Sequence, residues 1–257
     1  MSNAEADNWV IDDFHKNGDN FRAYAGDLKF VDLNGDGRIG VGAGTLDDHG
    51  DLDRIGNMTP RFQFGLNMDF SWNGIGLSIF LQCVGKRDWY PECETGIFWG
   101  MYNRPYSALL KTQEGDNAVR IDYSTSDWKV TNADKNPYWT RQVAYAANRN
   151  VGPLTYENDH YLQNIAYVRL KNATLSYTFP EKLLKKAKMQ SLKIYLTGEN
   201  LLTFSPLYKH TKMFDPEGVE SGDSDFNGAA ATGLYGVGNG YSYPILKSYT
   251  FGINVTF

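Results

Sequence analysis

No apolar run in the sequence approaches the roughly 18 residues that a membrane-spanning helix requires, and mean hydropathy is −0.47. A helical membrane protein is thereby excluded. A β-barrel is not, because its strands turn only alternate residues to lipid. Cysteine is scarce: Cys83 and Cys93 are the only two in 257 residues, too few for a disulfide scaffold and without the paired spacing of a zinc site. They read as free thiols, with a single bridge as the alternative. Positive charge is also short, 25 Lys and Arg against 30 Asp and Glu for a net charge of −5. It is scattered apart from one short stretch, so no nucleic-acid partner is expected. The four histidines, His15, His49, His160 and His210, stand without a partnered Ser or Cys nucleophile or a ligand-spaced neighbour and read as surface or loop residues. Met1-Ser-Asn-Ala4 has neither a basic start nor an apolar stretch, so no export signal is expected there, and Ser2-Asn3-Ala4 is of the kind left by cloning.

Aromatic residues, by contrast, are plentiful. With 17 Tyr, 14 Phe and 6 Trp beside 26 Gly, the composition suits short strands, turns and aromatic girdles better than a helical bundle. In the last nine residues, Tyr249, Phe251, Ile253, Val255 and Phe257 alternate with Thr250, Gly252, Asn254 and Thr256. Partners that small and polar suit a wall with lipid on one side and water on the other. From Pro60 the same period sets Phe62, Phe64, Leu66, Met68 and Phe70 against Arg61, Gln63, Gly65, Asn67 and Asp69. Asn73-Gly74 predicts a tight hairpin, and Ile75, Leu77, Ile79, Leu81 and Cys83 form the apolar side of the returning strand. A slip of one residue would turn Arg61 and Asp69 to lipid, at about 2–4 kcal/mol for a cation near the midplane, so the pattern fixes the register.

Alternation resumes over residues 167–180. Ala173, Leu175, Tyr177 and Phe179 oppose Asn172, Thr174, Ser176 and Thr178, whereas Val168 and Leu170 sit on the other parity beside Arg169 and Lys171. The parity change predicts a bulge, or a strand leaving the bilayer. Pro180 stops the strand, and residues 181–188, Glu-Lys-Leu-Leu-Lys-Lys-Ala-Lys, read as a short helical turn with a basic end. Leu192, Ile194, Leu196 and Gly198, opposite Lys193, Tyr195, Thr197 and Glu199, make the next strand. The expected fold class is therefore all-β: antiparallel strands of a transmembrane β-barrel, beginning near Pro60, Ile75, Ala166, Leu192 and Ile245. If Phe257 ends at the periplasmic side, every short connection falls there and every long one outside, which is the asymmetry of barrels.

The intervening stretches carry the candidate chemistry. Residues 1–26 are irregular. Residues 27–59 contain Asp32-x-Asn34-x-Asp36-Gly37, the first half of a calcium loop, in which alternate oxygens converge on a hard cation. Ala43 stands where the closing bidentate Glu belongs, so an acidic turn satisfied by its own backbone is the competing account. Residues 85–160 are loaded with rings, and Trp99, Tyr102, Trp128 and Trp139 are the candidate substrate contacts, since flat rings beside polar groups stack the apolar face of a sugar. Packing of the insert onto itself is the alternative for each ring. A polar, Gly-rich loop from about Pro206 to Pro244 includes Phe214-Asp-Pro-Glu217 and Asp223-Ser-Asp225.

Taken in order, five stretches resemble the C-terminal portion of SusC/RagA-like TonB-dependent transporters. They are residues 26–39 (Gly-Asp-Leu-Lys-Phe-Val-Asp-Leu-Asn-Gly-Asp-Gly-Arg-Ile), Ile55-Gly-Asn57, residues 167–180, residues 198–204 (Gly-Glu-Asn-Leu-Leu-Thr-Phe) and residues 248–257. The resemblance implies an outer-membrane barrel of about 22 strands around an internal plug, with residues 60–257 supplying the last five. The terminal Phe257 is similar to the insertion signal of bacterial outer-membrane barrels. Also implied are energised import of an oligosaccharide or peptide, a SusD-like surface lipoprotein over the extracellular face, TonB acting through an N-terminal part missing here, and no covalent step. Because five strands cannot close in lipid, the chain is expected to be a fragment of a larger protein. Two readings from other classes compete. One is a soluble calcium-dependent carbohydrate-binding β-sandwich using Asp32, Asn34 and Asp36. The other is a glycan hydrolase, for which Asp215 and Glu217 qualify by type alone.

Overall fold

The computed structural model describes residues 3, 9–17, 20–21, 23–91, 95–147, 152–219 and 245–257. Five long strands form: β1 (Gln63–Trp72), β2 (Ile75–Val84), β3 (Tyr167–Thr178), β4 (Ser191–Phe204) and β5 (Ser248–Thr256). They make one antiparallel sheet in chain order. Each begins within a few residues of its expected start.

Asn73 and Gly74 take φ of 47° and 84°. Positive φ at both central residues is the two-residue turn whose twist matches the strands it joins, and it sets Trp72 opposite Ile75. The register then follows from that turn. Leu66 pairs with Leu81, Phe70 with Leu77, Leu77 with Leu175, Leu175 with Leu196 and Leu196 with Phe251. One face of the sheet is therefore apolar across all five strands, and the other carries Asn67, Asp69, Ser78, Asn172, Thr174, Ser176, Thr197 and Asn254.

The parity break in β3 is a bulge. The ladder to β2 shifts between Leu170 and Asn172, leaving Lys171 as an extra residue, so that Val168 and Leu170 rejoin the apolar face opposite Cys83 and Leu81. The partner strand is irregular at the same level, where Asn200 has φ of 52°. That irregularity lets β4 run to Phe204, beyond the segment whose alternation is legible. Residues Glu181–Leu184 form a helical turn, α2, after the four-residue α1 (Gly96–Trp99).

A sandwich would bury the apolar face against a second sheet. Here Leu66, Leu175, Leu196 and Phe251 are 49, 53, 50 and 65% exposed, so the face stands open. Aromatic residues border it at both ends of the strands, Phe62, Phe64, Phe204 and Tyr249 at one and Trp72, Tyr177, Phe179 and Phe257 at the other. Ten residues of β1, at about 3.3 Å each and tilted by about 40°, rise about 25 Å, the height of the lipid-facing band of a barrel.

By internal contacts the chain divides into two compact units, Met1–Gly56 with Tyr90–Leu162, and Asn57–Trp89 with Gln163–Phe257. The second contains the sheet; a two-residue ladder of Trp89 with Gln163 and Asp88 with Asn164 closes the point where the chain leaves and returns. The first is irregular, built from short ladders and single helical turns around an aromatic core. Among the described residues no helix is long and apolar enough to cross a membrane. Cys83 is a buried free thiol; Cys93 lies outside the described residues.

Candidate functional site

The rings expected to stack a sugar separate into two environments. Trp99 and Tyr102 are 0% exposed and Trp139 is 2% exposed. Trp99 packs edge-on against Phe98 at 4.9 Å and Tyr161 at 5.1 Å, and Tyr102 stacks on Trp139 at 5.5 Å. Their polar handles are spent inside as well. Trp99 Nε1 donates to the Pro91 carbonyl at 3.2 Å, and the Tyr102 hydroxyl donates to the Thr140 carbonyl at 2.6 Å. A stacking platform needs a ring face that a ligand can reach. These three rings have none, and as placed they hold the insert together.

The surrounding tyrosines share that interior. Burial pushes the Tyr161 phenol up to about 12 and raises those of Tyr90 and Tyr102 as well. Tyr161 accepts from the Thr140 amide at 3.0 Å, and Tyr90 donates to the Leu154 carbonyl at 2.9 Å.

Trp128 differs, because it is only half-buried. Its ring lies 5.6 Å from Tyr24 and 5.0 Å from Tyr123, which is 57% exposed. The Arg141 guanidinium sits 5.4 Å over the Tyr24 ring and 5.7 Å over Trp128 while its fork donates to both Asp27 oxygens at 3.0 and 2.9 Å. Here aromatic faces, a cation and a carboxylate meet near solvent, the mixture that polar ligands with apolar faces use. Asp27 and Arg141 lie 114 residues apart, and no local pattern joins them to Trp128.

The acidic turn is internally satisfied. Asp32 accepts from the Gly35 and Gly37 amides at 2.6 and 2.9 Å, Asn34 from Asp36, and Asp36 from the Arg38 amide at 2.7 Å. Arg38 in turn is forked onto Asp13. Asp51 accepts from the Leu33 and Gly40 amides, tying the turn to the residues that follow it. With Ala43 at the closing position, and no group of three acidic, His or Cys residues gathered among the described residues, Asp32, Asn34 and Asp36 do not fit a calcium cage as they stand.

On the polar side of the sheet lies a cluster that the sequence reading did not assemble. Arg169 is 2% exposed. It donates to Asp215, to Glu217 at 2.7 Å and to Thr203 at 3.0 Å, and Lys171 reaches the other Glu217 oxygen at 2.7 Å. Both carboxylates offered for glycan hydrolysis are thus held as counter-ions, not arranged as an acid and base across a bond. The bulge is what makes the cluster, since it turns Lys171 to the same side as Arg169. Beside it Phe214 packs 5.0 Å from Trp89, and Leu207 and Val219 are each 1% exposed, so residues 206–219 are folded against the sheet. Asp223 and Asp225, with the rest of 220–244, lie outside the described residues.

No protein-family profile matches the chain. It is 29% identical over 231 residues to TonB-dependent receptor P3 of Formosa agariphila, an alignment covering 89% of this chain and 19% of that protein. TonB-dependent receptor P26 of the same organism is 26% identical over 235 residues, covering 90% and 20%. The chain thus spans about a fifth of the length of the curated relatives it matches. In structure it is similar to the RagAB peptide importer in the "closed-closed" state, with a TM-score of 0.51 and 18% identity over 96% of this chain and 21% of that one, a likeness of fold. The resemblance carried by the sequence motifs therefore holds: relatives in sequence are TonB-dependent receptors, and the fold is similar to that of a RagA-containing importer.

Proposed function

We propose that this chain, similar to TonB-dependent receptors over nine-tenths of its length, is a wall segment of an outer-membrane transporter. The observation that carries the reading is the apolar face, continuous across five strands, open to the surroundings and edged by aromatic residues at both ends. In water such a face is an aggregation hazard; in a bilayer it is the lipid-contacting band. The opposite face would line a hydrated lumen.

In this reading residues 60–257 are the C-terminal barrel segment and 27–59 an extracellular loop. The whole receptor imports an oligosaccharide or a peptide, works with a SusD-like surface lipoprotein and draws energy through TonB. TonB dependence follows the names of the relatives, of which this chain matches a fifth, while the cargo class and the lipoprotein follow the resemblance of the sequence motifs. Within the insert, Trp128 with Tyr123, Tyr24 and Arg141 is the set best placed to touch cargo, because Tyr123 is exposed and Trp128 and Tyr24 are only part-buried. The relatives are named receptors, and the reading includes no covalent step.

The test is a blot of outer membranes from the source cells with an antibody raised against residues 206–219. A band several times heavier than 29.0 kDa, extracted only by detergent, is expected. A band near 29 kDa in the soluble fraction would overturn the reading in favour of a soluble sugar-binding protein.

A further inference from the structure

We infer that the lysine-rich turn between β3 and β4 is a docking surface for anionic phospholipid headgroups at the bilayer face. This rests on the reading of the sheet as a membrane wall. The turn is short and fixed. Pro180 ends β3, Glu181–Leu184 makes one helical turn, Lys185–Ala187 continues it, and Lys188 closes it with φ of 55°. Leu184, 3% exposed, pins the turn down, and the Met189 amide donates to its carbonyl at 3.2 Å.

Everything else on the turn points outward. Lys182, Lys185, Lys186 and Lys188 are all exposed. Glu181 is the one acid within the turn, and it faces Lys185 at 4.0 Å with both side chains about four-fifths exposed, a pair too solvated to neutralise much. Leu183 stands among the lysines and is 61% exposed. The neighbouring hairpin at the same end, Asn73-Gly74, carries no charge. Lys193, exposed near the start of β4, adds a cation at this edge of the sheet, and the other positive charge there is gathered on the one turn.

The order of groups along the chain selects a lipid over a soluble anion. Leu175 lies in the open apolar face, Tyr177 and Phe179 form an edge-on pair at 4.9 Å at its border, and the lysines follow within a few residues. Acyl chain, interface and phosphate occur in that same sequence across one leaflet, with aromatic rings at the interface and ammonium groups among the headgroups. An exposed leucine amid the lysines suits the same boundary. Each lysine near an anionic membrane surface strengthens binding roughly fivefold, an attraction that salt screens.

The experiment uses the whole 257-residue chain in mild detergent, mixed with phosphatidylcholine vesicles or with the same vesicles doped with phosphatidylglycerol, and read by flotation. The chain is expected to partition into both through its apolar face and to favour the anionic vesicles by at least about tenfold. That preference should vanish at high salt and in the variant carrying Lys182→Gln, Lys185→Gln, Lys186→Gln and Lys188→Gln, and persist with arginine at the same four positions. Partition into both vesicles without an anionic preference, or a preference the glutamine variant keeps, overturns the docking surface and leaves the wall reading standing. Failure to partition into either vesicle overturns both.

Discussion

Arg169 is the residue whose removal is expected to tell most about the sheet's polar side. With two carboxylates and a hydroxyl on its guanidinium, Arg169→Met leaves Asp215 and Glu217 facing Lys171 alone. The expected cost is about 2–3 kcal/mol, reduced from a fully buried pair because the carboxylates are 17 and 25% exposed. It should appear as a lower Tm and as new proteolytic cleavage within 206–219, whereas Lys171→Gln should cost about 1 kcal/mol or less. The rings invite a paired comparison. Trp99→Ala removes a fully buried indole and is expected to destabilise by about 3–5 kcal/mol, while Trp128→Ala should change the unfolding free energy by about 1 kcal/mol or less and weaken binding of cargo. Reversal of that order would place the ligand at the buried cluster. Buried phenols set a third expectation. Burial holds the protons of Tyr90, Tyr102 and Tyr161 more tightly folded than unfolded, so their contribution to stability is complete below pH about 10 and is lost above it, that of Tyr161 as pH rises through about 12. Tyrosinate absorbance on alkaline titration should rise together with loss of near-UV dichroism; early, independent ionisation of Tyr90, Tyr102 and Tyr161 would contradict it.

At the level of elements, the hairpin between β1 and β2 sets the register of the pair. A Cβ on Gly74, whose φ is 84°, would lie 2.6 Å from the Thr178 carbonyl oxygen. Gly74→Val is therefore expected to cost about 2 kcal/mol through the positive φ and the close approach together, measured by denaturant unfolding. An unchanged midpoint would mean that the turn does not constrain the ladder. The strands themselves were legible because alternation is local: two residues per repeat, read directly against two environments. The bulge was legible only as a parity break. Whether it marked an extra residue or an exit from the sheet depended on Lys171 finding Glu217, 46 residues away. The extension of β4 to Phe204 was hidden for a related reason, since Asn200 interrupts the alternation there.

For the molecule as a whole, the two faces of the sheet predict opposite tolerances. With the chain reconstituted in lipid, Leu175→Arg is expected to cost about 2–4 kcal/mol, and Thr174→Arg, one residue away on the polar face, about 1 kcal/mol or less. Equal costs would mean that the apolar face does not meet lipid. The first unit obeys different rules, having few ladders and a core of stacked rings, so its stability should follow ring burial and the Arg141–Asp27 pair in place of strand pairing.

Five strand positions, the register of the β1–β2 hairpin, the tight turn, the apolar face and the likeness to TonB-dependent receptors were all determined by the sequence alone. The physical reason is that a two-sided wall writes its environments into every second residue, and that period survives without knowledge of any distant contact. The tertiary structure alone decided which rings of the insert are interior and which are part-exposed, and that Asp215 and Glu217 are counter-ions to Arg169. Those outcomes join residues far apart in the chain, 37 for Tyr102 and Trp139, 46 and 48 for Arg169 with Asp215 and Glu217, 114 for Asp27 and Arg141, at least one partner of each pair lying outside the alternating strands. Composition there states only that rings and charges are present; folding decides which of them meet.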